Sequence, residues 1–144
     1  MKRYILIQII GLASVLNVSA QEWQTDFDKA IQIANDKEQK VILVFSGSDW
    51  CAPCMKLEKE IWQSEFFKQY SEKHFVLLRA DFPRKKENKL SKQQEEKNKI
   101  LAEKYDPQGF FPFVVVLDKD KNVLGTTGNV KASPSEYVKI LESF

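Results

Sequence analysis

Histidine and cysteine are scarce in this 144-residue chain, which holds one histidine, His74, and two cysteines, Cys51 and Cys54. A structural zinc site normally takes four nitrogen or sulfur ligands, so these three side chains fall short of one unless carboxylates complete it, and nothing in the sequence places them. Covalent haem attachment requires a histidine directly after the second cysteine, and Met55 stands there. Two cysteines could form a simple disulfide staple, but a chain of this size and aromatic content does not need one to fold. No metal or cofactor is therefore expected.

Net charge is the next absence. The chain carries 22 basic and 20 acidic side chains. The two-charge excess equals Lys2 and Arg3, so residues 21–144 are balanced and nothing in the net charge points to nucleic acid. Long apolar runs are missing as well. Tyr4 to Val18 is largely apolar but is broken by Gln8 and Asn17, and it falls short of the roughly 20 residues a spanning helix needs. Its basic start and the small residues Val18-Ser19-Ala20 before Gln21 have the form of a cleaved secretory signal peptide. This implies a signal segment at 1–20, one domain at 21–144 with no stable membrane span, and a periplasmic or secreted location.

What is present is concentrated at Trp50-Cys51-Ala52-Pro53-Cys54. The apolar, β-branched run Val41 to Phe45 precedes it and reads as a strand buried on both faces. A helical segment follows, from about Ala52 to Tyr70, with an interruption expected near Gln63-Ser64. Two thiols separated by two residues at a helix start form a redox arrangement. The positive helix end and its unpaired amides favour a thiolate on Cys51, and Cys54 is close enough to close a ring with it. A purely structural bridge is the competing reading, although so short a loop constrains the unfolded chain little.

The rest of the chain alternates strand and helix. Thr25 is expected to cap a helix reaching Lys37, with Phe27, Ala30, Ile31 and Ala34 on its inner face and Asp28 completing an acidic capping box. Trp23 is a candidate for a short edge strand. Leu57, Ile61 and Phe67 are expected to face the sheet. Phe75 to Leu78 reads as a strand ending near Asp81. The mixed charge run from Phe82 to Asn98 reads as a solvated loop and helix face, with docking of an acidic partner as its functional alternative. Ile100, Leu101 and Tyr105 mark a further apolar helical face. Phe113 to Leu117, a turn at Asp118–Asn122, and Val123 to Thr127 form a hairpin. Ser133-Pro134-Ser135-Glu136 is a capping box with proline at the first helical position, and it opens a helix that packs through Tyr137, Ile140 and Leu141.

This order resembles the thioredoxin fold across essentially all of residues 21–144. The resemblance rests on Trp50-Cys51-Ala52-Pro53-Cys54, on Gly109-Phe110-Phe111-Pro112 before a strand, on Gly125 and Gly128, and on the Gly-Ser-Asp-Trp-Cys lead-in of exported thioredoxin-like proteins. It implies an α/β fold with a central mixed sheet flanked by helices on both faces. It also implies a protein-disulfide reductase type of thiol–disulfide oxidoreductase, in which Cys51 attacks and Cys54 resolves. Trp50, Ala52, Pro53 and a cis-proline at Pro112 would support the pair, and Phe110 and Phe111 would receive substrate. The partners would be exported thiol or disulfide proteins and an upstream electron donor or acceptor. A binding module or chaperone with an inert bridge, and a disulfide oxidase or isomerase, are the alternatives. Thioredoxin keeps a buried aspartate on the strand before its cysteines. The equivalent place here is Val44 or Phe45, which leaves Asp49 or Glu58 as substitutes.

Overall fold

The computed structural model describes residues 21–144. The expected signal segment at 1–20 lies outside the described residues. Twelve elements follow one another: β1 (Trp23–Gln24), α1 (Phe27–Lys37), β2 (Lys40–Ser46), α2 (Ala52–Leu57), a π-helical turn (Glu58–Trp62), α3 (Glu65–His74), β3 (Phe75–Asp81), a 3-10 turn (Lys86–Asn88), α4 (Lys92–Tyr105), β4 (Phe113–Leu117), β5 (Val123–Gly128) and α5 (Pro134–Glu142). The five strands form one mixed sheet in the order β1-β3-β2-β4-β5. β2 runs parallel to β3 and antiparallel to β4, so it is the central strand and its carboxyl end delivers the cysteine loop.

The alternation of side chains along β2 builds two cores from one strand. Val41, Leu43 and Phe45 point to one face and pack with Ala30, Ile31 and Ala34 of α1 and with Leu101 and Tyr105 of α4. Ile42 and Val44 point to the other, against Leu57, Ile61, Trp62 and Phe67 from the segment after the cysteines and Tyr137 and Leu141 of α5. Trp62 anchors the second core at 1% exposure, edge-on to Trp23, Phe67 and Tyr137. Burying a ring of that size contributes about 4–6 kcal/mol before ordering costs. Among the described residues no helix is long and apolar enough to cross a membrane.

Most expected elements are present, including the break after α2, where Ser64 caps α3 by accepting from the Phe67 amide at 3.2 Å. The Ser133–Glu136 capping box is complete, with both reciprocal bonds formed. Three details differ. Asp26, not Thr25, caps α1, because the helix begins at Phe27 and Asp26 Oδ1 accepts the Lys29 amide at 3.0 Å. Ile100 is 55% exposed. The inner face of α4 runs through Asn98, Leu101 and Tyr105, which places Ile100 one residue off the stripe. Asn98 fills the inward place by donating to the Asp81 carbonyl at 2.9 Å. On α5, Val138 is buried beside Tyr137 and Leu141, whereas Ile140 is only half-buried.

Candidate active site around the cysteine pair

Cys51 and Cys54 are joined in a disulfide, with their Cα atoms 5.2 Å apart. Cys51 is the N-cap of α2, and its Sγ accepts the Cys54 amide at 3.3 Å. Its own amide donates to the Gly47 carbonyl at 2.9 Å, which ties the loop back to the end of β2. Both cysteines are buried at the residue level, while Ala52 and Pro53 between them are exposed.

The lead-in is fastened by its own polar groups. The Trp50 indole Nε1 donates to the Phe82 carbonyl at 2.7 Å, and its ring meets Phe111 edge-on with centroids 5.4 Å apart. Gly47 lies against that indole so closely that a Cβ there would overlap it. Asp49 accepts from the Arg84 and Lys85 amides at 2.9 Å each and from Asn88 Nδ2 at 3.0 Å. These bonds, led by the Arg84 amide, hold its carboxyl below its usual pKa. Asp49 is thus fully engaged by the loop after β3 and does not take the place of the aspartate missing from β2.

The two sides of the pair open onto different spaces. On one side Pro53, Phe110, Phe111, Pro112, Gly128 and Val130 line a shallow hollow of about 530 Å³. The Phe111–Pro112 peptide is cis. Phe110 is 53% exposed, whereas the Phe111 ring is half-buried between Trp50 and Phe82. Asp106 sets this loop: its Oδ1 accepts the Phe110 amide at 2.9 Å and its carbonyl accepts the Gly109 amide, with Gly109 at φ 71°. Asp106 is 3% exposed and its Oδ2 has no hydrogen-bond partner, so burial raises its pKa despite those amides.

On the other side Ser48, Cys54, Met55, Glu58, Lys59, Gln63 and Arg79 line a cavity of about 370 Å³. Glu58 follows Cys54 by four residues, one helical turn on the same face. Its Oε2 accepts from Arg79 Nη2 at 2.6 Å and its Oε1 from Gln63 Nε2 at 2.8 Å. The Arg79 guanidinium lies 4.1 Å from the Trp23 ring centroid, and its Nε is buried without a protein partner. Val44, 1% exposed, faces this same core. Of the two carboxylates singled out in the sequence, only Glu58 shares a cavity with a cysteine. The reading from sequence missed Arg79 and Asp106. Arg79 left a signal, as a charge inside the otherwise apolar run from Phe75 to Ala80; Asp106, at a helix end, left none.

Comparison with known proteins agrees with this geometry. A family model described as thioredoxin-like matches residues 22–119. A disulfide bond reductase, DsbH, from Chlamydia pneumoniae is 30% identical over 122 residues, covering 85% of this chain and 71% of that protein. A solved DsbH oxidoreductase superposes with a TM-score of 0.79 at 27% identity, over 99% of this chain and 93% of that one. A thioredoxin from Thermus thermophilus, at 16% identity, shares the fold with a TM-score of 0.64 over 87% of each chain.

Proposed function

The chain belongs to the thioredoxin-like family and is a thiol–disulfide oxidoreductase, and from that premise we propose that it works as an exported reductant of protein disulfides. The observation that carries this reading is the Cys51–Cys54 bond at the start of α2, between an apolar hollow and a cavity holding a carboxylate. The similarity to a disulfide bond reductase of Chlamydia pneumoniae supports this direction of electron flow. The basic and apolar form of residues 1–20 supports export to the periplasm or beyond the cell.

In the reduced protein the Cys51 thiolate attacks one sulfur of a substrate disulfide. A Cys51–substrate bond forms and the other substrate sulfur leaves as a thiolate. Cys54 then attacks Cys51 Sγ, the intramolecular bond closes, and the second substrate sulfur leaves. The substrate has gained two electrons and the protein is oxidised, so a thiol donor must restore it. Cys54 has to lose its proton before attack, and we assign its acceptance to Glu58, which lines a cavity with Cys54 and is held by Arg79 and Gln63. Pro53 stiffens the turn and the small Ala52 leaves room for an incoming sulfur. Trp50 screens the pair, Phe110 offers an apolar landing surface, and the Phe111 backbone beside Pro112 pairs with an extended substrate segment.

Trapping tests the sequence of steps. Cys54→Ser should accumulate substrate proteins disulfide-linked to Cys51 in acid-quenched extracts, and Cys51→Ser should accumulate none. Equal, empty captures from both variants would sink the exchange reading.

A further inference from the structure

Resting on the exchange activity proposed above, we infer that residues 84–92 form a cationic dock, beside the cysteine pair, for substrates that carry acidic residues next to their own cysteine. Residues 21–144 hold twenty cations and twenty anions, yet Arg84, Lys85, Lys86, Lys89 and Lys92 stand in this short stretch against Glu87 alone. The net charge there is +4, which leaves −4 over the rest of the domain. All five cations are exposed, and none belongs to an ion pair among the described residues. Further along α4 the charges balance, with Glu95 and Glu96 offset by Lys97 and Lys99. The positive patch is therefore local.

Its placement is built into the fold. Asp49, two residues before Cys51, takes all three of its hydrogen bonds from this loop. Trp50, next to Cys51, bonds the loop's first carbonyl at Phe82. The Arg84 guanidinium lies 3.7 Å from the Trp50 ring centroid, which carries one cation onto the residue adjoining the attacking sulfur. The 3-10 turn Lys86–Asn88 and the Asn88 amide at 3.0 Å from the Lys85 carbonyl keep Lys85, Lys86 and Lys89 on an ordered turn, and Lys92 opens α4. Two carboxylates beside the patch take their hydrogen bonds from neutral groups. Asp49 faces the loop amides, and Asp81 accepts from the Ser48 amide and hydroxyl and the Phe82 amide. These two carboxylates and Glu87 keep their charges, so a ligand anion meets a patch in which five cations outnumber three carboxylates. Complementary charge of this kind speeds encounter and discriminates between partners more than it adds affinity. The substrates proposed above are protein disulfides, so an acidic segment of such a protein is the occupant this charge selects.

The test compares two synthetic disulfide-linked peptides, one with three aspartates and one with three lysines flanking the cysteine, against neutral hydroxyethyl disulfide. Initial reduction rates by the reduced 21–144 chain would be followed from low to high salt. The acidic peptide is expected to react about tenfold faster than the basic one at low ionic strength, and the advantage should shrink toward unity near 1 M salt. Lys85→Glu/Lys86→Glu/Lys89→Glu should invert the order of the peptides while its circular dichroism and neutral-disulfide rate stay close to those of the parent. Equal rates for the two peptides, or a parent and variant that rank them alike, would overturn the dock. Sedimentation of the parent with phosphatidylglycerol vesicles, without any peptide preference, would overturn it in favour of a lipid surface. The neutral disulfide reports on the exchange chemistry itself, so a failure confined to the peptides falls on the dock alone.

Discussion

The hollow beside Pro53 and the cavity beside Cys54 flank one disulfide but are made of different materials. The first is shallow, walled by Pro53, Phe111 and Pro112 and edged by an exposed Phe110. The second contains an ion pair, Glu58–Arg79, whose arginine is stacked on Trp23 and keeps one unpartnered nitrogen. An apolar rim suits the approach of a peptide, and a carboxylate beside a buried thiol suits movement of a proton. The contrast teaches that the two halves of an exchange reaction are separated in space. On the proposed mechanism, partner recognition falls to Trp50, the 84–92 loop and Phe110, and resolution to the side of β3 and the π-helical turn.

Perturbing the inner side should have the largest effect. Glu58→Gln keeps the size and the Arg79 contact but removes the proton acceptor. It should slow resolution of a preformed Cys51 mixed disulfide by about a hundredfold, the low end of what a positioned base supplies. Stopped-flow release would read this, and the pH dependence of the step should shift while formation of the mixed disulfide does not. Glu58→Asp should restore part of the rate. A Glu58→Gln protein that resolves at the parental rate at every pH would merge the two sides into one.

The outer side can be broken at Gly47. Gly47→Ala places a methyl where the Trp50 indole lies, so the ring must move and with it the bond to Phe82. Overpacking of this kind costs about 1–3 kcal/mol. Denaturant melts should show that loss, and Trp50 fluorescence should move with it. Resolution of the mixed disulfide should change less than its formation.

The smallest effect belongs to Asp106, beneath the Phe110 loop. Its native pKa is raised above its ordinary value of 3.8 by burial. The folded state therefore holds this proton more tightly than the unfolded chain. Its stabilising contribution is full below 3.8 and is lost as pH rises through the raised native value. Asp106→Asn removes that segment of the curve. Thermal melts from pH 3 to 7 should show the variant's Tm rising relative to the parent as pH increases, and a constant difference would contradict the assignment.

The fold was legible because its strands are short apolar runs with clean turns between them. The cysteine loop stood out because Cys51 and Cys54 have no competitors in the sequence. Ser133 identified its helix start by hydroxyl capping chemistry and Gln63-Ser64 marked only an interruption, whereas at α1 two adjacent residues, Thr25 and Asp26, are both good caps and only the geometry chooses. Ile100 was misplaced because one residue of helical phase separates a core position from solvent. What stayed hidden depended on long-range pairing. The Asp49 bonds to residues 84–88 span more than thirty positions, and Glu58 meets Arg79 across twenty-one. Glu58 stood in the sequence as a nearby carboxylate, but its cavity exists only once β3 lies beside β2.

The most direct test of the central claim is the midpoint potential of the Cys51–Cys54 pair, measured on the purified 21–144 chain in redox buffers with thiol trapping. A value near about −270 mV, the thioredoxin end of the range for this fold, is the result the account requires of a reductant. A value near about −120 mV would contradict it in favour of disulfide donation, and a pair that exchanges slowly and stays oxidised below about −300 mV would reduce Cys51–Cys54 to a structural bridge.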